Sequence, residues 1–197
     1  MREGGRWMSR VRKGRVAQKE LKIIPNDVQV MIANNTNGGY SYHQGYTSFY
    51  LENRGDTEVL RYEELRPLKR ALEKFNLVIV NVLTEGYSIM DVANGLRISQ
   101  AYEEYFDLVL QIDSESYDDE TYIDIEEINA FILEEDDPEV FKKALDSHLY
   151  TTIVEQCVSL YREHKLTDYN KMQLVQNSFR LNSDDKNNFW HDLDLEA

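Results

Sequence analysis

One cysteine in 197 residues excludes an internal disulfide, because Cys157 has nothing in its own chain to pair with. A lone thiol fits a reducing compartment or a particle assembled inside a cell. Long apolar runs are also missing. None approaches the roughly 18 residues a membrane-spanning helix requires, and no apolar h-region follows the basic N-terminus, so neither a membrane span nor a secretory signal is expected. The Arg-rich, acid-poor start also fits an organelle transit peptide or a nuclear localisation run, on composition alone. Positive charge is absent from a long internal stretch: between Arg97 and Lys142 there are sixteen Asp or Glu residues and no Lys or Arg.

Motifs that carry chemistry are missing as well. His43, His148, His164 and His191 are dispersed, with no HExxH or CxxC spacing to hold zinc. No P-loop, GxGxxG or GxSxG occurs. The acidic loop 113–120 invites a calcium reading, but an EF-hand loop needs Gly at its sixth position. Asp118 stands there, with Tyr117 at the fifth. A solvated acidic loop or an acidic docking surface fits better than a cation site. Cys157 lies on the apolar stripe of a helix, the place of a buried structural thiol. The sequence therefore nominates no catalytic residue, no metal ligand and no cofactor, and the expectation is a protein that is not an enzyme.

What is present is a charge split. The first 22 residues carry eight basic side chains against two acidic ones, while the whole chain has a formal net charge of −14. The remainder must hold about −20. A basic arm on an acidic body is the layout of a protein that reaches into a partner. Arg2, Arg6, Trp7, Arg10, Arg12, Lys13 and Arg15 are the candidate partner-binding residues of that arm. With few apolar residues, the arm is expected to be disordered alone in water and to order on a neighbour. Its charges also suit weak, salt-sensitive contact with nucleic-acid phosphates. The body's acidity disfavours nucleic acid beyond the arm's reach.

Four segments follow from periodicity and turn chemistry, giving an α+β protein. Residues 1–22 form the arm. Residues 23–84 form a small antiparallel β unit, barrel- or sandwich-like. Val28, Val30 and Ile32 alternate in a first strand, Asn34 to Gly39 turn, and short strands follow around Tyr40–Tyr42, Phe49–Leu51 and Val59–Tyr62, in a meander. Arg54-Gly55-Asp56 reads as a plain hairpin turn rather than an integrin-type loop. A helix placing Leu68, Leu72 and Phe75 on one face precedes the β-branched run Leu77–Leu83. Residues 85–182 are helical. Ser88 and Asp91 form a capping box, with Ile89, Val92 and Leu96 inward and Gly95 weakening the helix. A second helix turns Tyr102, Tyr105, Phe106 and Val109 inward. Further helices carry Ile128, Phe131 and Ile132, begin at Asp137-Pro138, run through Ile153, Cys157 and Leu160, and begin last near Asp168. Residues 183–197 form an acidic C-terminal tail.

The segments Val28–Gly39, Leu60–Leu65 and Leu166–Met172 resemble parts of accessory virion structural proteins of tailed bacteriophages, a similarity covering roughly residues 26–182. Its motifs describe turns, caps and core positions, so no functional residue is carried over. The resemblance implies a head, neck or tail component, assembled into virions in the host cytoplasm and present in several copies. Its partners would be other virion proteins, with no membrane and no small-molecule substrate. An alternative is a phage nucleic-acid-associated regulator using the helices around 88–110 as a helix-turn-helix. Glu103, Glu104 and Asp107 on those helices count against it.

Overall fold

The computed structural model describes residues 22–112, 122–179 and 183–196. The architecture is mixed α+β, with strands first and helices after. The strands are β1 (Gln29–Asn34), β2 (Tyr40–Gln44), β3 (Thr47–Leu51), β4 (Thr57–Arg61) and β5 (Leu77–Val82). They do not form the expected meander. β1 lies between β4 and β5, antiparallel to both, and β2 and β3 make a separate two-stranded sheet. Burial explains the order. Val30 and Ile32 of β1 and Leu77 to Val80 of β5 are buried, whereas β2 and β3 place Ser41, His43 and Ser48 at exposed positions. β1 and β5, which carry most of the strands' buried apolar side chains, take the places under the helices.

Between β4 and β5 the single expected helix is broken into α1 (Tyr62–Leu65), a 3₁₀ turn (Arg66–Leu68) and α2 (Lys69–Glu73). Pro67 sits in the first positions of the 3₁₀ turn, where its missing N–H costs little. The anticipated inward face stands: Leu68, Leu72 and Phe75 are all buried. Phe75 ends α2 with φ at +57°, a strained setting for a bulky residue. Its ring packs 5.2 Å from Tyr102 and 5.4 Å from Tyr105, which offsets part of that strain.

The helices that follow are α3 (Ile89–Leu96), α4 (Ser99–Leu108), α5 (Glu127–Glu134), α6 (Pro138–Leu145), α7 (Tyr150–Arg162), α8 (Tyr169–Ser178) and α9 (Ser183–Glu196). Their starts follow the caps. Ser88 Oγ accepts from the Asp91 N–H at 3.1 Å and the Asp91 carboxylate accepts from the Ser88 N–H at 3.0 Å. Asp137 accepts from the Glu139 N–H at 2.9 Å, and Asp168 from the Asn170 N–H at 2.8 Å. These satisfy donors that a first turn leaves open. α7 ends at His164 in the left-handed region, with the His164 N–H on Tyr161 O and the Lys165 N–H on Leu160 O, both 2.8 Å. That is a Schellman closure made without glycine.

α9 corrects the expected acidic tail. Trp190 is buried, donates Nε1–H to Met172 O at 3.0 Å and lies 4.8 Å from the Tyr161 ring. The segment folds back on α7 and α8 because Phe189, Trp190 and Leu193 give it an apolar side that its acidic composition hides. One hydrophobic cluster takes in residues from the sheet, from α3 to α8 and from α9. The division into a β-rich and a helical segment therefore describes order along the chain, while the core is shared.

Gly95 is itself exposed, but it gives room at the edge of that core to the buried Tyr62. A Cβ there would lie 2.5 Å from the Tyr62 hydroxyl and 3.2 Å from Ile24 Cγ1. Gly95→Ala gains about 1 kcal/mol of helix propensity, but the overpacking cost of about 1–3 kcal/mol outweighs it. The expected result in a urea titration is net destabilisation, and removal of the hydroxyl in a Tyr62→Phe background should turn the same change neutral or stabilising.

Candidate functional site

The arm residues Arg2, Arg6, Trp7, Arg10, Arg12, Lys13 and Arg15 lie outside the described residues, as does the acidic loop 113–120. The root of the arm is described. Lys22 Nζ donates to Gly86 O and to Asp91 Oδ2, each at 2.9 Å, and lies 5.9 Å from the Tyr87 ring centroid. Lys22 is thus held at the N-terminus of α3, a position that no local sequence signal marks.

Burial pushes the Asp91 carboxyl up, but the hydrogen bonds from Lys22 and Ser88 outweigh burial and hold it below the ordinary carboxylate value. A group whose folded pKa is depressed contributes stability above its unfolded pKa, about 3.9 for Asp, and loses it as pH falls through the folded value. The contribution of Asp91 to the unfolding free energy should therefore stay level from neutrality towards about pH 4 and drop below it. Asp91→Asn should cost about 1 kcal/mol at neutral pH and make the acid-side decline shallower, as read by denaturant titrations across pH.

Two adjoining hollows lie on the helical part. One of about 410 Å³ is lined by Glu135, Asp136 and Asp168 together with Pro138, Phe141 and Lys171. The other, about 490 Å³, is lined by Glu127, Glu134, Glu135 and Asp136 together with the end of α4. Glu135 and Asp136 belong to both, so the two make one acid-lined groove built by α5, α6, α8 and the residues after α4. Glu127, Glu134 and Asp136 are exposed. Glu135 accepts from Gln111 Nε2 and from the Asp137 N–H, each at 2.8 Å.

Lys171 is the one basic side chain lining either hollow among the described residues, and its ammonium is held by backbone carbonyls. Its ammonium donates to Ile132 O at 2.7 Å and Leu133 O at 3.2 Å, the last-turn carbonyls of α5. Among the described lining residues carboxylates outnumber cations, and the one ammonium is already bound to backbone carbonyls, so the groove suits a basic segment.

The remaining candidates resolve into structural roles. Arg54 of the Arg-Gly-Asp triplet is drawn inward, donating to Glu126 Oε1 at 2.6 Å, Ile125 O at 2.7 Å and Asn35 Oδ1 at 3.2 Å. Asp56 closes the turn by accepting from the Asn53 N–H at 2.9 Å. Cys157 is buried, and burial pushes its thiol up to about 12, the charge of Lys171 opposing only in part. Such a thiol is inert at neutral pH.

α3 and α4 are neighbours, joined through Arg97, but α4 points Gln100, Glu103 and Asp107 to solvent. A phosphate backbone approaching that face would meet like charge. Among the described residues no group of three or more His, Cys, Asp or Glu side chains converges to hold a metal ion, and no helix is long and apolar enough to cross a membrane.

No protein-family model, curated protein or solved structure matches this chain. The groove and the arm's root are therefore interpreted from their own chemistry. What they offer is contact: an acid-lined groove among α5, α6, α8 and the residues after α4, and a basic Lys22 held at the N-terminus of α3.

Proposed function

We propose that the chain is a non-enzymatic structural component of a bacteriophage virion, capsid-associated or head–tail connecting, and that it acts through contacts between subunits. The particle comes from the resemblance of its turns and caps to accessory virion proteins. The mode of contact comes from charge. The observation that carries it is the acid-lined groove at Glu127, Glu134, Glu135, Asp136 and Asp168 on a chain whose first 22 residues hold eight basic side chains. The arm of one copy lies in the groove of the next, adding affinity beyond the globular contacts at an entropic cost.

Mass spectrometry of purified particles should find the chain in several copies. Deleting residues 2–21 should leave circular dichroism and melting unchanged and abolish incorporation. Carbodiimide coupling should join Lys13 or Lys19 of one copy to Glu134, Glu135 or Asp136 of another. That coupling should vanish at about 0.5 M salt, where the Debye length falls to about 4 Å. Normal incorporation of the arm-deleted chain sinks this reading.

A further inference from the structure

From Val28 to Leu51 the chain carries no Asp, Glu, Lys or Arg, although charged residues make up 29% of the whole. For β1 the reason is burial. For the ribbon formed by β2 and β3 it is not, because much of that ribbon is exposed: Tyr46 at its tip is 109% exposed and Tyr50 65%. An exposed strand pair without charge is unusual. Natural proteins protect open strand edges with lysine, inward charges, proline or bulges, and residues 40–51 have none of these. β2 and β3 pair only with each other, and β3 contacts β4, which leaves the β2 edge as the open one.

The ribbon is held firmly from beneath. Phe49 and Leu51 are buried, and Tyr40 and Tyr42 pack on the Phe49 ring at 6.3 and 5.6 Å. Thr47 Oγ1 donates to Glu64 Oε1 at 2.9 Å. Its base is fixed by Asn34, whose Nδ2 donates to Gly38 O at 2.7 Å and Asn53 O at 3.1 Å. The bend is a two-residue turn with Gly45 at φ +61°, the position that requires glycine in a type II′ hairpin. The register places Ser41 opposite Tyr50 and His43 opposite Ser48, and these four share the outer face. The Tyr50 hydroxyl lies over Gly39, only 2.8 Å from where a Cβ would stand. Tyrosine, serine and glycine on a fixed frame supply contact area at low entropic cost.

We infer that this outer face and the β2 edge are a self-association surface, taking the same ribbon of a second copy so that β2 pairs antiparallel with its counterpart in a four-stranded sheet. The choice of partner follows from charge and symmetry. A two-fold contact joins the same patch of both copies, so a patch carrying charge of one sign meets its like. On a chain at −14, the uncharged ribbon is where two copies meet without that penalty. The inference goes beyond the arm-and-groove contact and does not depend on it, because the two respond oppositely to salt. Screening weakens the arm's contact and relieves the repulsion between two acidic bodies joined at a neutral ribbon.

Sedimentation equilibrium of the full chain at about 0.05 and 0.5 M NaCl decides it. The expected result is a dimer at the higher salt, where the arm's contact is screened, with any larger species confined to the lower salt. Ser41→Glu with His43→Glu should weaken the dimer by about tenfold or more, since like charges would face each other across the two-fold, with circular dichroism unchanged. On the unmodified chain, amide exchange over residues 40–44 should slow as the protein is raised from low to high micromolar concentration. A monomer at both salts, a dimer lost at the higher salt, a dimer indifferent to the double substitution, or exchange independent of concentration would each overturn the inference.

Discussion

Tyr102→Phe should lower the unfolding free energy by about 1–3 kcal/mol, a large effect for the loss of one oxygen. The reason lies in the sheet. The pairing of β1 with β5 shifts register between Met31 and Ile32, so that Met31 faces Asn81 and Ile32 faces Ile79, and Val80 is left over. The helical half takes up the backbone groups released there. The Tyr102 hydroxyl accepts from the Ile79 N–H at 2.9 Å, and the Ile123 N–H donates to Val80 O at 2.9 Å. Tyr102 is fully buried, and burial raises its hydroxyl's pKa well above the ordinary tyrosine value.

Phenylalanine keeps the ring stack on Phe75 and removes only the acceptor, leaving a buried N–H with no partner. Urea titrations should show a lower midpoint with an unchanged slope. A loss within about 0.5 kcal/mol, the range of an ordinary surface change, would mean that the hydroxyl does not join sheet to helices.

Lys171→Met carries the second large expected effect, a loss of about 2–4 kcal/mol. Lys171 is only 5% exposed, and its ammonium satisfies the Ile132 and Leu133 carbonyls where α5 ends. Those carbonyls have no acceptor role left inside the helix, and a cation at that end also complements its dipole. Methionine preserves the stem that packs near Phe141 but strands both oxygens. Cys157 gives a local readout: its labelling by a thiol reagent under native conditions should quicken when the α5–α8 junction opens. Unchanged stability and unchanged labelling together would remove Lys171 from this role.

Much of the fold was legible because local signals were dense. Ser88 with Asp91, Asp137 before Pro138, and Asp168 each marked a helix start that capping chemistry dictates, and the β-branched run at Leu77–Val82 marked a buried strand. The sheet order was not legible, since which strand becomes central depends on burial of both faces by helices far along the chain. α9 was missed because its acids outweigh Phe189 and Trp190 in any average, although that aromatic pair followed by Leu193 was the available signal. The groove was legible only as a charge run. Its walls come from four places in sequence, and the tie of the Lys171 ammonium to backbone carbonyls depends on where α5 ends. The contact between Lys22 and Asp91 joins residues too distant for any periodicity to link.

The central place of β1 also sets a timetable. During synthesis β2 and β3 can close on each other as soon as Leu51 is free, because a short hairpin needs little loop closure. β1 has to wait. Its partners β4 and β5 end at Arg61 and Val82, so one edge of Val30 and Ile32 waits for Arg61 and the other for Val82. A nascent chain stalled before Arg61 displays an apolar strand with two open edges, and one stalled between Arg61 and Val82 still leaves one edge open to aggregation. Fragments ending between β4 and β5 should be insoluble, while those extending past α4 can bury the strand and fold.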